Sequence, residues 1–234
     1  MEYRVSTLAE RKEFYEKEFS LKKVESWFRG RELPQLCAVD AGDDSGVIVD
    51  KKYAGSMFYF QFSELREKIK KYVPEDVYYD RNKYADPKKI LRTLEFKEYL
   101  SQEFAFDIDA DNIKRDHPKS QLVCDKCVDK TYRYAVRMKR ELNKDFRKTR
   151  LVYSGRGFHV HILDEKSFKM NIKEREALNR RFSKYPIDPW VSRGYIRLIR
   201  MPYSLNGLVS RVVTPVNVKK GFRKESTYPS FLKD

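Results

Sequence analysis

Cysteine, histidine and tryptophan are scarce in this chain, at three, three and two among 234 residues. An odd cysteine count, with Cys124 and Cys127 as a C-x-x-C pair and Cys37 far off, excludes the paired framework of a small secreted disulfide protein. A reducing interior, with a metal or redox role for the pair, fits better. No apolar run is long enough to span a bilayer, and Met1 to Phe19 alternates charges where a signal peptide needs an apolar stretch. The chain is therefore expected to have no membrane partner and to stay where it is made. No internal repeat or low-complexity linker appears, so one domain is expected over residues 1–234.

Basic residues are abundant. Fifty Lys and Arg stand against 35 Asp and Glu, a net charge of +15, which points to a polyanionic partner held through phosphate contacts and counterion release. Ribosomal and structural proteins share this bias, so charge alone says nothing of catalysis. Both signs are interspersed, which predicts a folded basic surface instead of a disordered tail. The many aromatic rings belong mostly to the core, with some available for stacking on bases.

Thr7-Leu8-Ala9-Glu10 has the form of a capping box and opens a helix expected to reach Trp27. Residues 34–50 read as loop, with a short strand at Val47–Val49. Met57–Phe62 reads as an aromatic strand, followed by a helix to Tyr72 and a short strand at Val77–Tyr79. Asp86-Pro87 supplies a cap and first-turn proline for a helix to Leu100. A strand is expected over Glu103–Asp109, a helix over 129–146, and two strands at Leu151–Tyr153 and Phe158–Leu163 around a tight turn. Helices follow over 173–183 and 192–200, the second stopped by Pro202, then a strand over 212–218.

In the strand Glu103-Phe-Ala-Phe-Asp-Ile-Asp109, alternation sends Phe104, Phe106 and Ile108 to the core and Asp107 and Asp109 together to the other face. Two carboxylates about 7 Å apart along a strand can share divalent ions, as two-metal phosphoryl transfer requires. Asp-x-Asp alone is a weak motif, better explained by a solvated strand end with two ordinary acids. The segment Tyr153-Ser-Gly-Arg-Gly-Phe-His-Val-His161 adds a hydroxyl at Ser154, a charged fork at Arg156, and two histidines, His159 and His161, leaving one strand face. Gly155 and Gly157 would let the backbone approach a ligand, and a triphosphate suits such a set. The bland alternative is a hairpin turn with exposed histidines. Two of only three histidines fall here, and the third, His117, lies just before Cys124. Further on come Asp188 and Arg193, Arg197 and Arg200, which would align on a helix; a solvated basic face explains these as well.

Together, Phe106-Asp-Ile-Asp109, Ser154-Gly-Arg-Gly-x-His-x-His161 and Asp188 followed by Arg197-Leu-Ile-Arg-x-Pro-x-Ser-Leu205 resemble the archaeo-eukaryotic DNA primase superfamily, closest to archaeal small (catalytic) subunits. The likeness covers roughly the second half of the chain. The first hundred residues match loosely, near Phe60 and Val77-Tyr78-Tyr79. The resemblance implies an α+β primase fold, a mixed sheet flanked by helices with a small inserted zinc motif at about residues 112–130. It implies that Asp107, Asp109 and Asp188 are catalytic and hold Mg2+ or Mn2+, and that Ser154, Arg156, His159 and Arg200 contact the incoming nucleotide. Asn206 stands where the family has a histidine, which implies weaker phosphate binding there. The role of His161, orienting neighbours or touching nucleotide, stays open.

The resemblance also implies a structural Zn2+ site with four ligands. His117, Cys124 and Cys127 match three, with Asp116 as a candidate fourth; a reduced, metal-free loop is the alternative. The chain is shorter than the family's usual length, so an accessory helical subdomain is expected to be reduced or missing. The activity implied is primer synthesis on single-stranded DNA from nucleoside triphosphates, releasing pyrophosphate, in the cytoplasm of an archaeal cell with a primase large subunit as partner. Two alternatives remain: an end-joining repair or plasmid-type primase-polymerase of the same superfamily, and a non-catalytic basic nucleic-acid-binding module.

Overall fold

A computed structural model describes residues 2–42, 57–114, 116–118 and 121–233; the strand expected at Val47–Val49 lies outside them. Thr7 opens helix α1 (Leu8–Lys17) with the expected capping box, its hydroxyl accepting from the Glu10 amide while the Glu10 carboxylate accepts from the Thr7 amide. The helix does not continue to Trp27. Ser20 caps a second one, α2 (Leu21–Trp27), by accepting from the Lys23 amide. Strand β1 (Leu36–Asp40) falls in the stretch read as loop. Four of its five residues are buried, so it carries none of the alternation that marks a half-buried strand.

The next elements are β2 (Met57–Gln61), α3 (Leu65–Tyr72), β3 (Asp76–Asp80), β4 (Asn82–Lys83) and α4 (Pro87–Thr93). Leu94, in the left-handed region at φ 58°, ends α4 short of the expected Leu100. Then come β5 (Ser101–Gln102), β6 (Phe104–Asp109) and α5 (Asp125–Leu142). Helix α5 starts four residues early because the Cys124 sulfur caps it, accepting from the Cys127 amide. The chain continues through β7 (Thr149–Tyr153), β8 (Gly157–Ile162), α6 (Glu165–Phe168), α7 (Ile172–Arg181), α8 (Pro189–Arg193), β9 (Leu198–Arg200), β10 (Leu205–Asn206), β11 (Arg211–Val212) and β12 (Thr214–Val216).

The α+β class holds, but the single mixed sheet expected from the sequence does not. Among the described residues the strands form a six-stranded sheet, β11-β10-β3-β1-β2 with β9 also on β3, and a four-stranded sheet, β12-β7-β8-β6, with β4 and β5 as a separate ladder. The described pairings are antiparallel. Strand signals in the sequence locate strands but carry no information on direction or partition between sheets.

Among the described residues two large apolar cores result, beside a small cluster of Leu36, Tyr84 and Ile90. Phe104, Phe106 and Ile108 of β6 pack with Val128, Ala135 and Met138 of α5 and with Leu178 and Phe182. The other core joins α1, α2 and α3 to the six-stranded sheet and takes in Ala105 and Val152 from the opposite face of the four-stranded one. Burying each large β6 side chain is worth about 2 kcal/mol. Slipping β6 by one residue would lose all three and bury the acids instead, so the core sets which way Asp107 and Asp109 point.

Candidate active site

Asp107 and Asp109 lie half-buried on one face of β6, between fully buried neighbours, and β8 runs beside them with His159 opposite Asp107. Asp188 caps α8, accepting from the Trp190 amide, and its own backbone N–H donates to the Asp107 carbonyl at 2.8 Å. That bond fixes the start of α8 against β6 and brings the third acid to the pair. Burial raises the Asp107 carboxyl to about 8; Asp109 and Asp188 add to the rise, while Arg200 and Arg156 oppose it. Its Oδ1 is buried with no hydrogen-bond partner among the described residues. A crowded acid cluster with an orphaned carboxylate oxygen is short of positive charge, and a divalent cation fits that need.

The Ser154–Gly157 turn sits against this cluster. Arg156 reaches Asp109 Oδ2 at 3.1 Å and Asp111 Oδ2 at 3.2 Å. The Ser154 hydroxyl accepts from the Gly157 amide at 3.3 Å. Both glycines answer to the protein. Gly155 has φ 106°, and a Cβ there would lie 2.5 Å from the Asn206 amide nitrogen; a Cβ on Gly157 would lie 2.1 Å from the Ile108 carbonyl oxygen. The sequence reading that they clear space for a ligand is replaced by this tight packing. Asn206 is fully buried and donates to the Ser154 carbonyl at 2.8 Å, with its Oδ1 unpartnered among the described residues. It therefore joins β10 of the larger sheet to the turn of the smaller one.

His159 is buried, and its Nε2 lies 3.7 Å from Asp107 Oδ1, too far for a hydrogen bond. Burial, then the nearby His161 and Arg200, holds its pKa well below the ordinary histidine value. The ring is neutral and can offer a hydrogen bond but no charge. His161 belongs to a buried network behind the site. Its Nδ1 lies 2.7 Å from Glu103 Oε1, which also accepts from the Tyr79 hydroxyl at 2.8 Å, and Arg31 pairs with the other oxygen. Burial would raise the Glu103 carboxyl, but Arg31 and then His161 hold it well below the usual carboxylate range.

The helix expected over 192–200, with Arg193, Arg197 and Arg200 on one face, is not present. Gly194 at φ 93° ends α8, and Leu198–Arg200 pairs with β3 as a strand. Leu198 and Ile199 complete that sheet, and the burial gained there outweighs a marginal short helix. Arg200 grips Asp76 through Nε at 3.1 Å and Nη2 at 2.8 Å, and Arg197 reaches Asp80 at 3.0 Å. Burial alone would lower the Arg200 pKa, but Asp76 and Tyr78 outweigh it and raise it.

Asp76, Asp80, Arg81 and Glu103 are residues that sequence reasoning missed. Arg81, fully buried, donates to the carbonyls of Glu103 and Val191 at 3.0 and 2.8 Å and also to that of Ile196. It clamps α8, and hence Asp188, to the sheet. The one available signal was Asp76-x-Tyr78-x-Asp80, polar residues sharing a strand face.

Away from the carboxylates, the ligand atoms of His117, Cys124 and Cys127 lie within 4.8 Å of one another. The two sulfurs are 3.4 Å apart, and the His117 Nε2 is buried without a partner among the described residues. Two thiols and an imidazole suit Zn2+. Asp116 is not part of this cluster; its carboxylate pairs with Lys130 at 2.5 Å.

Residues 106–185 match the family of DNA primase small subunits. An uncharacterized DNA primase small subunit-like protein of Archaeoglobus fulgidus is 37% identical over 98% of this chain and 91% of its own length. DNA primase small subunits PriS of Pyrobaculum arsenaticum and Pyrococcus horikoshii are 30% and 27% identical, over 67% and 97% of this chain. The chain spans 64% and 67% of those two relatives, and 49% of the Thermococcus sibiricus PriS. Among solved structures, the polymerase domain of Mycobacterium tuberculosis ligase D in complex with DNA shares the fold, with a TM-score of 0.51 at 14% identity over 94% of this chain and 85% of that one.

Proposed function

The chain belongs to the archaeal-type DNA primase small-subunit family, and from that premise we propose that it makes primers on single-stranded DNA from nucleoside triphosphates. The reading is carried by one observation: Asp107, whose Oδ1 has no partner among the described residues, is pushed up to about 8 by burial, with Asp109 and Asp188 close enough to add to the rise. A site meant only to bind phosphate has no use for such a cluster, which repels it.

In this reading Asp107, Asp109 and Asp188 hold Mg2+ or Mn2+. When bound, these ions would lower the pKa of the attacking 3′-hydroxyl and neutralise charge on the leaving pyrophosphate. Arg156, paired with Asp109 and Asp111, is the guanidinium a triphosphate would compete for. His159, neutral and buried, donates a hydrogen bond to a phosphate oxygen. Arg200, kept in place by Asp76, contributes positive potential. Ser154 and Asn206 set the shape of the turn, and the Ser154 hydroxyl, which accepts from Gly157, can still donate to phosphate. We assign a structural Zn2+ to His117, Cys124 and Cys127, and a primase large subunit as partner. Among the described residues no helix is long and apolar enough to cross a membrane.

The Asp109→Asn variant tests this reading. It should lose template-directed synthesis by at least about a hundredfold, as loss of a metal-site charge does, while binding single-stranded DNA as well as the parent or slightly better. Near-parental turnover at saturating metal would remove the carboxylates from the mechanism.

A further inference from the structure

The face of the small sheet that carries Asp107 and His159 continues through His161, and Arg150 of β7 lies directly opposite His161. Cross-strand partners share a face, so Arg150 is on the same side as the carboxylates but toward the other end of the strands. A cavity of about 350 Å³ opens there, lined by Arg29, Arg31, Arg147, Lys148 and Arg150, with Gly30, Thr149 and Leu163 completing it. Among the described residues, five cationic side chains and no acidic one line this space.

Its floor is formed by Arg31 and Arg150, both half-buried. The Arg31 and Arg150 guanidiniums flank the Trp27 ring, at 5.4 and 4.9 Å from its centroid, and Arg150 donates to the Trp27 carbonyl. Burial and then the neighbouring Arg31 lower the Arg150 pKa. Arg31 spends one nitrogen on Glu103, while its buried Nε and Nη2 and the Trp27 Nε1 have no acceptor among the described residues. Buried donors without acceptors are costly and rare in a finished interior. The carboxylates nearby are already engaged: Glu103 holds His161, Tyr79 and Arg31, and Asp164 accepts from the Arg147 and Lys148 amides at 3.0 and 2.8 Å. Arg29, Arg147 and Lys148 form an exposed rim.

We propose that this cavity is a second phosphate-binding site, separate from the carboxylates, taking the oxyanions of a nucleic-acid strand or of a free nucleotide. Like-charged side chains held together around one cavity are stabilised by a multivalent anion, and planar N–H forks match phosphate oxygens. The site does not depend on chemistry at Asp107 and Asp109, so its failure leaves the catalytic reading intact.

The test is the Arg29→Ala/Arg147→Ala double variant. Both side chains are exposed and form no ion pair among the described residues, so the fold should survive, which an unchanged melting temperature would verify. Arg66→Ala/Lys70→Ala on α3 makes the same charge change elsewhere and is the control. Labelled oligo-dT is titrated by anisotropy at several salt concentrations, and ATP by calorimetry in EDTA. If the site takes a strand, oligo-dT affinity falls about tenfold at 0.15 M salt, and the log–log salt slope becomes shallower by about 1.4, roughly 0.7 per lost phosphate contact. If it takes a free nucleotide, metal-free ATP binding is present in the parent and absent in the variant, with oligo-dT unaffected. Losses matched by the α3 control, or no loss with either probe, would overturn the assignment.

Discussion

Replacing Asp107 by Asn should stabilise the metal-free protein, and increasingly so as pH rises. The Asp107 carboxyl sits at about 8, raised by burial and then by Asp109, while in the unfolded chain it reverts to about 3.9. Between those values the folded state holds a proton that the unfolded state has released, so this residue's contribution to stability falls as pH rises from about 4 to about 8. Four pK units correspond to about 5 kcal/mol. Solvent reaches part of the side chain, which is 20% exposed, so about 2–5 kcal/mol is the expected range. For a chain of this size each kcal/mol moves Tm by roughly 2–4 °C. Thermal melts of parent and Asp107→Asn in EDTA, at pH 5 and pH 8, should show the variant's advantage growing by roughly 5 °C or more. Saturating Mg2+ or Mn2+ should restore the parent and leave the variant unmoved. An advantage that stays constant across this pH range would refute the claim that Asp107 is held protonated by its surroundings.

Arg156→Ala should raise the apparent KM for nucleotide and lower kcat together, by about tenfold or more in kcat/KM, because charge on the leaving pyrophosphate builds in the transition state; steady-state kinetics on a primed template read this directly. Cys124→Ser should release about one zinc ion per chain, measured by elemental analysis, and lower Tm more than low-temperature activity. Glu103→Gln should cost about 3–5 kcal/mol in chemical denaturation, because it leaves the Arg31 charge buried without its partner. Since Glu103 is held below the carboxylate range, that stabilisation is complete above about pH 4 and is lost only in stronger acid.

The carboxylate pair was legible in the sequence because strand alternation is local. With Phe104, Phe106 and Ile108 buried, Asp107 and Asp109 had one direction left. The Ser154–Gly157 turn was legible for the same reason, although its glycines serve contacts with Ile108 and Asn206, on other strands, that no local pattern displays. What sequence reasoning missed is long-range. Arg200 and Asp76 are 124 positions apart, and nothing near either residue names the other. The segment 192–200 misled because its arginine spacing fits a helix, while Gly194 ends α8 and the open edge of β3 makes Leu198–Arg200 a strand. The same limit hid the division into two antiparallel sheets, which depends on pairing and not on propensity.

The central claim is initiation, since two nucleotides must be held on the template together and extension alone needs only one beside a primer end. The direct measurement supplies unprimed single-stranded DNA, nucleoside triphosphates and Mg2+ or Mn2+ to the chain with its cognate large subunit, and looks for the first dinucleotide. The account predicts a dinucleotide from the parent and none from Asp109→Asn in the same complex. Efficient extension of supplied ends with no dinucleotide formed would contradict it and make the protein an end-extending polymerase.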